Sequence, residues 1–286
     1  MKYYILYNPH AGKDFTESKI KAVSLFFENT QAIDMTKIES YKELFSDVKK
    51  DDIIVICGGD GTLNRFVNDT ADIKIENQIL YHANGTGNDF LKDIAPDSTG
   101  KTVDITDYLK GLPSVEIDGK EWKFINGVGY GIDGYCCEVG DALKVQEKKV
   151  NYTSIAIKGL LFHYKPTNAR VTVDGKEYSF KKVWIAPTMN GRYYGGGMMP
   201  SPEQKRNSGE LSLMVWHGSG KLKTLMAFPS LFKGEHLKHE KMITLLKGKQ
   251  ITVEFDSPRA LQIDGETVLG VTKYTAKAFS NEKVNA

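Results

Sequence analysis

Residues 58–64, GGDGTLN, set three glycines around Asp60 directly after the apolar run 53–57. Glycine is needed where the chain turns with positive φ or where another group must come against the main chain, and a loop between strand and helix aims its N–H groups at an anion. The stretch could therefore cradle phosphate oxygens, with Asp60 as a hard oxygen ligand suited to Mg2+. It could equally be a tight turn in which Asp60 caps a helix. Its spacing is neither GxxxxGK[ST] nor GxGxxG, which excludes the two best-known phosphate loops. Two further glycine-bearing turns follow apolar runs, NPHAGK at 8–13 and NGTGND at 84–89. If the three runs are parallel strands, their turns meet at the carboxyl edge of one sheet, where open α/β folds bind ligands.

A second chemical pattern is an aspartate followed by glycine after an apolar residue, at Asp118, Asp174 and Asp264. Each could supply a carboxylate, but Asp-Gly is also the commonest sequence of an ordinary hairpin turn, and pattern alone does not choose among the three. His236 and His239 have no cysteine or third histidine at zinc-ligand spacing, which points to a solvated face. Cys57 beside the loop reads as buried packing rather than as a nucleophile.

The elements that would position these residues change character along the chain. Runs at 3–8, 51–59 and 78–85 read as buried parallel strands. Between them, 16–29 repeats apolar residues at helical spacing with Thr16 as a plausible cap, and shorter helices are expected at SYKELFSDVK and LNRFVND. Strand, helix, strand in this order implies an open sheet covered by helices. Beyond about residue 110, VEIDGKEWKF (115–124) and VTVDGKEYSF (171–180) are two near-copies of a hairpin, and short strands continue to RALQIDGETVLG. That pattern predicts an antiparallel sandwich or barrel, interrupted by one helix over 140–166 that ends at Pro166.

At 286 residues two domains are favoured, and 41% hydrophobic content is ample for their cores. The 38 basic and 36 acidic residues nearly cancel, so nothing predicts wholesale binding to nucleic acid. Three cysteines, two of them adjacent, make no disulfide framework and suggest a reducing, cytoplasmic setting. The N-terminus lacks the pattern of a signal peptide, and no stretch has the roughly 18 apolar residues of a spanning helix.

Taken in order, NPHAGK, GGDGTLN and GTGNDF resemble the catalytic domain of the diacylglycerol kinase family, which includes sphingosine and ceramide kinases and is more distantly related to NAD kinases. The bacterial lipid kinases are similar. FINGVGYGIDG (124–134), NGRYYGGGMMPSP (190–202) and LQIDGE (261–266) resemble the later motifs of that family, so almost the whole chain is covered. The resemblance implies an α/β nucleotide-binding domain with a Rossmann-like parallel sheet over residues 1–112. An antiparallel β-sandwich domain would follow over 113–274, with the active site in the cleft between them and a tail, about 275–286, that could return to the first domain. It implies ATP and Mg2+ as the cofactors. Asn8, Gly12, Gly58, Gly59, Asp60, Gly61, Thr62, Gly85, Thr86 and Asn88 would line the nucleotide site, with Asp60 on the metal. Asp264 would be the catalytic base beside Asp60, with Glu266 near the metal, because only Asp264 has an acid directly after the glycine and the family's C-terminal placement. Asn64, Asp89 and Asn190 are further candidates for nucleotide or substrate contact. Where many family members carry an aspartate for a structural magnesium, this chain has Ser208.

The activity implied is transfer of the γ-phosphoryl group to a lipid hydroxyl, with diacylglycerol giving phosphatidic acid. Phosphatidylglycerol, a sphingoid base and NAD are alternative acceptors, and an inactive nucleotide- or lipid-binding protein is the non-enzymatic alternative. The partner would be a lipid at a membrane surface, met peripherally at the inner face of the cell membrane, and a homodimer is left open. Residues 155–165 and 228–241 mix large apolar and basic side chains, which packing of amphipathic segments against a core explains more simply than a membrane contact; the core reading is favoured for 155–165, and 228–241 is left open.

Overall fold

The structure, a computed structural model, describes residues 1–9, 17–85, 87–98, 100–146, 150 and 152–280. The chain divides into two compact units, Met1–Gly111 and Leu112–Ala286.

The first unit runs β1 (Tyr3–Tyr7), α1 (Glu17–Ser24), β2 (Thr30–Asp34), α2 (Tyr41–Asp47), β3 (Ile53–Gly58), α3 (Asp60–Asp69), β4 (Gln78–Ala83), α4 (Asp89–Ile94), β5 (Thr102–Asp104) and α5 (Thr106–Leu109). Its sheet has the order β2-β1-β3-β4-β5, with β1 parallel to β2 and β3, β3 parallel to β4, and only β5 antiparallel. All six residues of β3 are buried, as a central parallel strand covered on both faces requires. The strand β2 was absent from the sequence reading. It lies at the sheet edge and alternates weakly, with no fully buried residue, so it carries no apolar run. The helix expected over 16–29 is shorter, because the chain leaves α1 at Ser24 and exposes Leu25 and Phe26; Thr16 lies outside the described residues.

The second unit runs β6 (Ser114–Ile117), β7 (Lys120–Lys123), β8 (Gly127–Tyr130), α6 (Ile132–Val145), α7 (Tyr152–Lys158), β9 (Thr167–Val173), β10 (Lys176–Val183), β11 (Thr188–Met189), β12 (Leu211–Trp216), α8 (Lys221–Ala227), β13 (Ile243–Gly248), β14 (Gln250–Ile263) and β15 (Glu266–Lys277). Its strands form one antiparallel system. The long β14 is its spine: residues 251–255 pair with β9, residues 261–263 pair with β8, and register shifts near Arg259 separate the two stretches. Buried Val115, Val171, Leu213, Val253, Leu261 and Tyr274 of five strands pack into one core. The unit is the antiparallel β domain expected from the hairpins.

The single helix expected over 140–166 is a correction. Three elements stand there: α6 begins eight residues earlier, α7 follows, and the π-helical turn Gly159–His163 closes the segment. The end of β15 remains in this sheet, paired with β6 through Lys277, and Ala278 still donates to the carbonyl of Lys249. Residues 281–286 lie outside the described residues.

Candidate functional site

In the first unit the register sets Tyr7 beside Cys57, Cys57 beside His82, and Gly58 beside Ala83. Asn8, Gly59 and Asn84 are therefore the next residues past one edge of the sheet, so all three glycine-bearing turns leave from the same rim. Gly12 and Thr86 lie outside the described residues.

The glycines of two of these turns touch. A Cβ on Gly85 would stand 2.5 Å from the Cα of Gly59, and one on Gly59 would stand 3.0 Å from the Cα of Gly85. A Cβ on Gly58 would meet the Thr62 side chain at 2.4 Å. The Asn84 N–H donates to the Gly58 carbonyl at 2.8 Å, and the buried Tyr81 hydroxyl donates to the same oxygen at 3.1 Å. Side chains are excluded here first of all because one loop's main chain rests on the other's. Gly61 follows in the opening turn of α3.

Asp60 opens α3, and its two carboxylate oxygens accept the N–H groups of Asp89 (2.8 Å) and Phe90 (2.9 Å) at the start of α4. It thereby fastens one helix N-terminus to another and gathers two positive dipole ends at the rim. Asn88 adopts a left-handed conformation (φ 49°) to begin α4, and its Nδ2 donates to the Gly85 carbonyl at 2.8 Å. Its Oδ1 and the Nδ2 of Asn84 are buried without a hydrogen-bond partner among the described residues. Such atoms cost about 1–3 kcal/mol each unless a ligand or water meets them. Asn84 was not a candidate in the sequence. Asn64 is buried within α3, where Asn68 Nδ2 bonds its carbonyl and its side chain, and Asp89 is buried in the first turn of α4. Burial pushes the Cys57 thiol up to about 12, so it stays protonated and packs in the core.

In the second unit Asp118, Asp174 and Asp264 all lead hairpin turns with positive φ (49°, 47° and 48°), followed by glycines at 77°, 83° and 99°. The local geometry is the same three times, and the difference lies in what each carboxylate meets. Asp264, half-buried, accepts main-chain N–H groups from Ile125 (2.5 Å), Asn126 (2.8 Å) and Gly127 (2.9 Å). Exposed Asp174 accepts from Lys249 and Gln250 at the start of β14. Asp118 is exposed and makes no such contact among the described residues.

Segment 125–127 is held from several sides. Asn190 Nδ2 donates to the Ile125 carbonyl at 3.0 Å, and its N–H donates to the Asn126 carbonyl at 2.9 Å. Arg206 reaches the Ile125 carbonyl with one guanidinium nitrogen (2.5 Å) and the Asn126 Oδ1 with another (2.6 Å). Asn190 and Asn126 are both buried. The arrangement fixes the Asp264 carboxylate rigidly. Three main-chain amides hold its two oxygens in place, which favours the ionised form of the carboxylate. Arg206 and Asn126 escaped the sequence reading: Asn126 sits in a motif noted only for resemblance, and Arg206 stands in a polar loop with no periodicity.

Another residue that the sequence did not nominate is Asp133, buried at the start of α6. Burial pushes its carboxyl up to about 6, and the Tyr194 hydroxyl donates to its Oδ2 at 3.2 Å. Gln262, which packs beside it over Gly129, accepts the Gly265 N–H at 2.7 Å.

Glu266 is exposed at the first position of β15, opposite Ile263. Among the described residues no three of His, Cys, Asp or Glu converge on a common metal position. Mg2+ commonly takes only one or two protein carboxylates and keeps its waters, and the oxygen donor of Asp60 at the rim fits that habit. Ser208 Oγ donates to the Glu210 carbonyl at the surface. His236, expected on a solvated face, is instead fully buried with Nε2 against the Pro200 carbonyl (3.0 Å), and burial lowers its pKa. His239 is exposed.

Family models agree with this division. The model described as diacylglycerol kinase catalytic domain matches residues 2–113, and that described as YegS C-terminal NAD kinase beta sandwich-like domain matches residues 126–279. Among curated proteins, one named "Putative lipid kinase" from Staphylococcus aureus strain Newman is 30% identical over 229 residues, covering 76% of this chain and 72% of its own length. A relative of the same description from strain JH9 is 29% identical over 227 residues, with the same coverage. Among solved structures, a "putative diacylglycerol kinase" from Bacillus anthracis strain Sterne superposes with a TM-score of 0.68 at 20% identity, over 98% of this chain and 96% of that one. Another with a similar title from that strain gives 0.66 at 21% identity, over 96% and 93%. At such identities these two speak for the fold alone.

Proposed function

Since the chain belongs to the lipid-kinase family of the diacylglycerol kinase catalytic domain and the YegS-type β-sandwich-like domain, we propose that it transfers the γ-phosphoryl group of ATP to the hydroxyl of diacylglycerol, giving phosphatidic acid and ADP. In this reading the first unit holds the nucleotide and the second supplies the base and the lipid site. The observation that carries it is the rim of the first sheet. There two helix N-termini and two unpartnered amide side-chain atoms surround glycines that touch one another. A polyanion supplies an acceptor for Asn84 Nδ2 and the negative charge that helix N-termini favour, whereas Asn88 Oδ1, itself an acceptor, needs a donor such as water.

Phosphoryl transfer needs little covalent help from a protein, only a fixed nucleotide, offset charge, and an acceptor hydroxyl held in line. The N–H groups at the start of α3, with Asn8, Asn84 and Asn88, orient the phosphates, while those of Asp89 and Phe90 at the start of α4 hold Asp60 in place. Mg2+, when bound, offsets the charge of the transferring group, and Asp60 would hold it through water. Asp264 takes the hydroxyl proton as the new O–P bond forms and the bond from Pγ to the bridging oxygen breaks. The substrate belongs to a bilayer, so the partner is a lipid surface.

Incubation with labelled ATP and Mg2+, separately with diacylglycerol, phosphatidylglycerol, a sphingoid base and NAD, tests the reading on thin-layer plates. Label in diacylglycerol is expected. Label in another lipid alone corrects the acceptor, and label in NAD alone ends the lipid reading. No label anywhere, with ADP and Mg2+ still bound, makes the chain a binding protein.

A further inference from the structure

The helical segments of the second unit are buried on one side and bare on the other. Leu160, Ala227, Phe228 and Leu231 enter the core around Trp184 and Trp216. From the same segments Phe162 (72% exposed), Leu222 (68%), Met226 (66%) and Phe232 (39%) stand in solvent. Leu222 and Met226 are four residues apart on α8 and share a face, opposite buried Thr224 and Ala227. Lys221 Nζ donates to the Leu161 carbonyl at 3.2 Å, which ties the start of α8 to the π-helical turn carrying Phe162. Phe232 follows on the 3-10 turn that continues α8 and rests edge-on against Phe228. Packing against the core, the simpler explanation of 155–165 and 228–241, accounts for only half of each segment.

The charge carried by these segments themselves has one sign, and the acidic residue that follows them, Glu235, is paired with Lys238. Lys158, Lys165, Lys221, Lys223 and Lys233 are exposed on this face, and residues 150–166 and 218–234 contain no aspartate or glutamate. A protein partner is poorly matched to such a surface, because protein interfaces are depleted in lysine. A bilayer containing anionic lipid suits it: phenylalanine, leucine and methionine enter the boundary between headgroups and acyl chains, while lysines stay at the phosphates.

We propose that the face formed by the π-helical turn, α8 and the following 3-10 turn docks the chain on an anionic lipid bilayer, through Phe162, Leu222, Met226 and Phe232 with the five lysines around them. The idea rests on the lipid-kinase reading for its reason to visit a bilayer, and on exposure and charge for its location.

The test is flotation of the full chain with vesicles of phosphatidylcholine, with and without phosphatidylglycerol. A parallel kinase assay uses a short-chain diacylglycerol dispersed as monomers. The wild type should float only with the anionic vesicles. Phe162→Ser with Leu222→Ser should lower the partition coefficient about tenfold or more. Lys158→Glu with Lys223→Glu should lower it about tenfold at low salt, with the difference shrinking as salt rises. Turnover of the monomeric lipid should be unchanged in both. Unchanged flotation of both variants would overturn the proposal. So would a concentration-dependent mass of the wild type that both variants abolish without altering flotation, since the face would then join two copies. Lost flotation in a protein that phosphorylates no lipid would leave the docking face standing and remove the kinase reading.

Discussion

In the first unit Gly59 and Gly85 are present for space, whereas in the second Gly119, Gly175 and Gly265 are present for conformation. The first pair lies at ordinary or unstrained φ with another main chain 2.5–3.0 Å from where a Cβ would be. The other three have φ between 77° and 99° and nothing within 4 Å. The first kind of glycine is set by tertiary contact, and its neighbour in space is another motif of the same rim. The second kind is set by a two-residue turn alone, so the aspartate beside it takes its meaning from whatever the turn happens to face.

The largest expected effect separates the three aspartates. Asp264→Asn should lower turnover about 10²–10⁴-fold, the usual contribution of a positioned base. It keeps an acceptor for Asn126 and Gly127 but turns an amide toward the Ile125 N–H, so a loss of about 1–3 kcal/mol in stability is also expected. Asp174→Asn disturbs an equivalent clamp on Lys249 and Gln250 and provides the control. Nucleotide binding should survive both, as read by ADP titration. Equal turnover in the two variants would reduce Asp264 to a clamp like Asp174 and move the base elsewhere.

The two kinds of glycine differ next. Gly85→Ala must drive the two loops apart, at a cost of about 1–3 kcal/mol and with weakened ADP binding. Gly265→Ala meets no atom and adds only the strain of positive φ, about 1 kcal/mol, with ADP affinity unchanged. Thermal melts and ADP titration check both. An equal effect of the two substitutions on ADP affinity would break the distinction.

The same contrast explains what could be read in advance. Apolar runs announced β1, β3 and β4 because a covered parallel strand must be apolar on both faces, and Asp-Gly announced the hairpins because few other sequences reach their φ values. The start of α6 was invisible, since Gly134 closes the glycine-bearing stretch FINGVGYGIDG and no helix was expected before Gly140. The two glycines stand inside the helix because Gly134 lies against the Ala260 carbonyl, which a Cβ would approach to 1.9 Å, and Gly140 lies against the Tyr152 ring. Both requirements come from segments distant in the fold or sequence. The site was legible in the same measure: Asp60 and Asp264 stand in recognisable turns, while Arg206, Asn126 and Asp133 are made functional candidates only by what packs on them.

Asp133 sharpens the comparison, because the glycine beside it in the second unit is there for space. A Cβ on Gly129 would stand 1.7 Å from its Oδ2. Its carboxyl titrates near about 6 in the fold and near 3.9 in an unfolded chain. Between those values the folded state keeps a proton that the unfolded chain has lost. Stability therefore falls as pH rises from about 4 to 6 and stays lower above, by on the order of 2–3 kcal/mol. Asp133→Asn keeps an acceptor for Tyr194 and removes that slope. The variant should melt several degrees above wild type at pH 8 and match it near pH 4; a constant difference across that range would show that burial of the charge is not the cause.

The smallest effect belongs to Asp118→Asn. Asparagine reaches the same left-handed φ and precedes glycine in the same type of turn, and the exposed Asp118 carboxylate holds no neighbouring main chain. Stability should change by less than about 0.5 kcal/mol and turnover not at all. Because the Asp118 turn matches the Asp264 turn in sequence and dihedral angles, a silent Asp118→Asn beside a dead Asp264→Asn would assign the whole difference to the amides of residues 125–127 and what they hold in place. A loss of turnover in Asp118→Asn would mean that the hairpin itself, rather than its tertiary partner, carries the function.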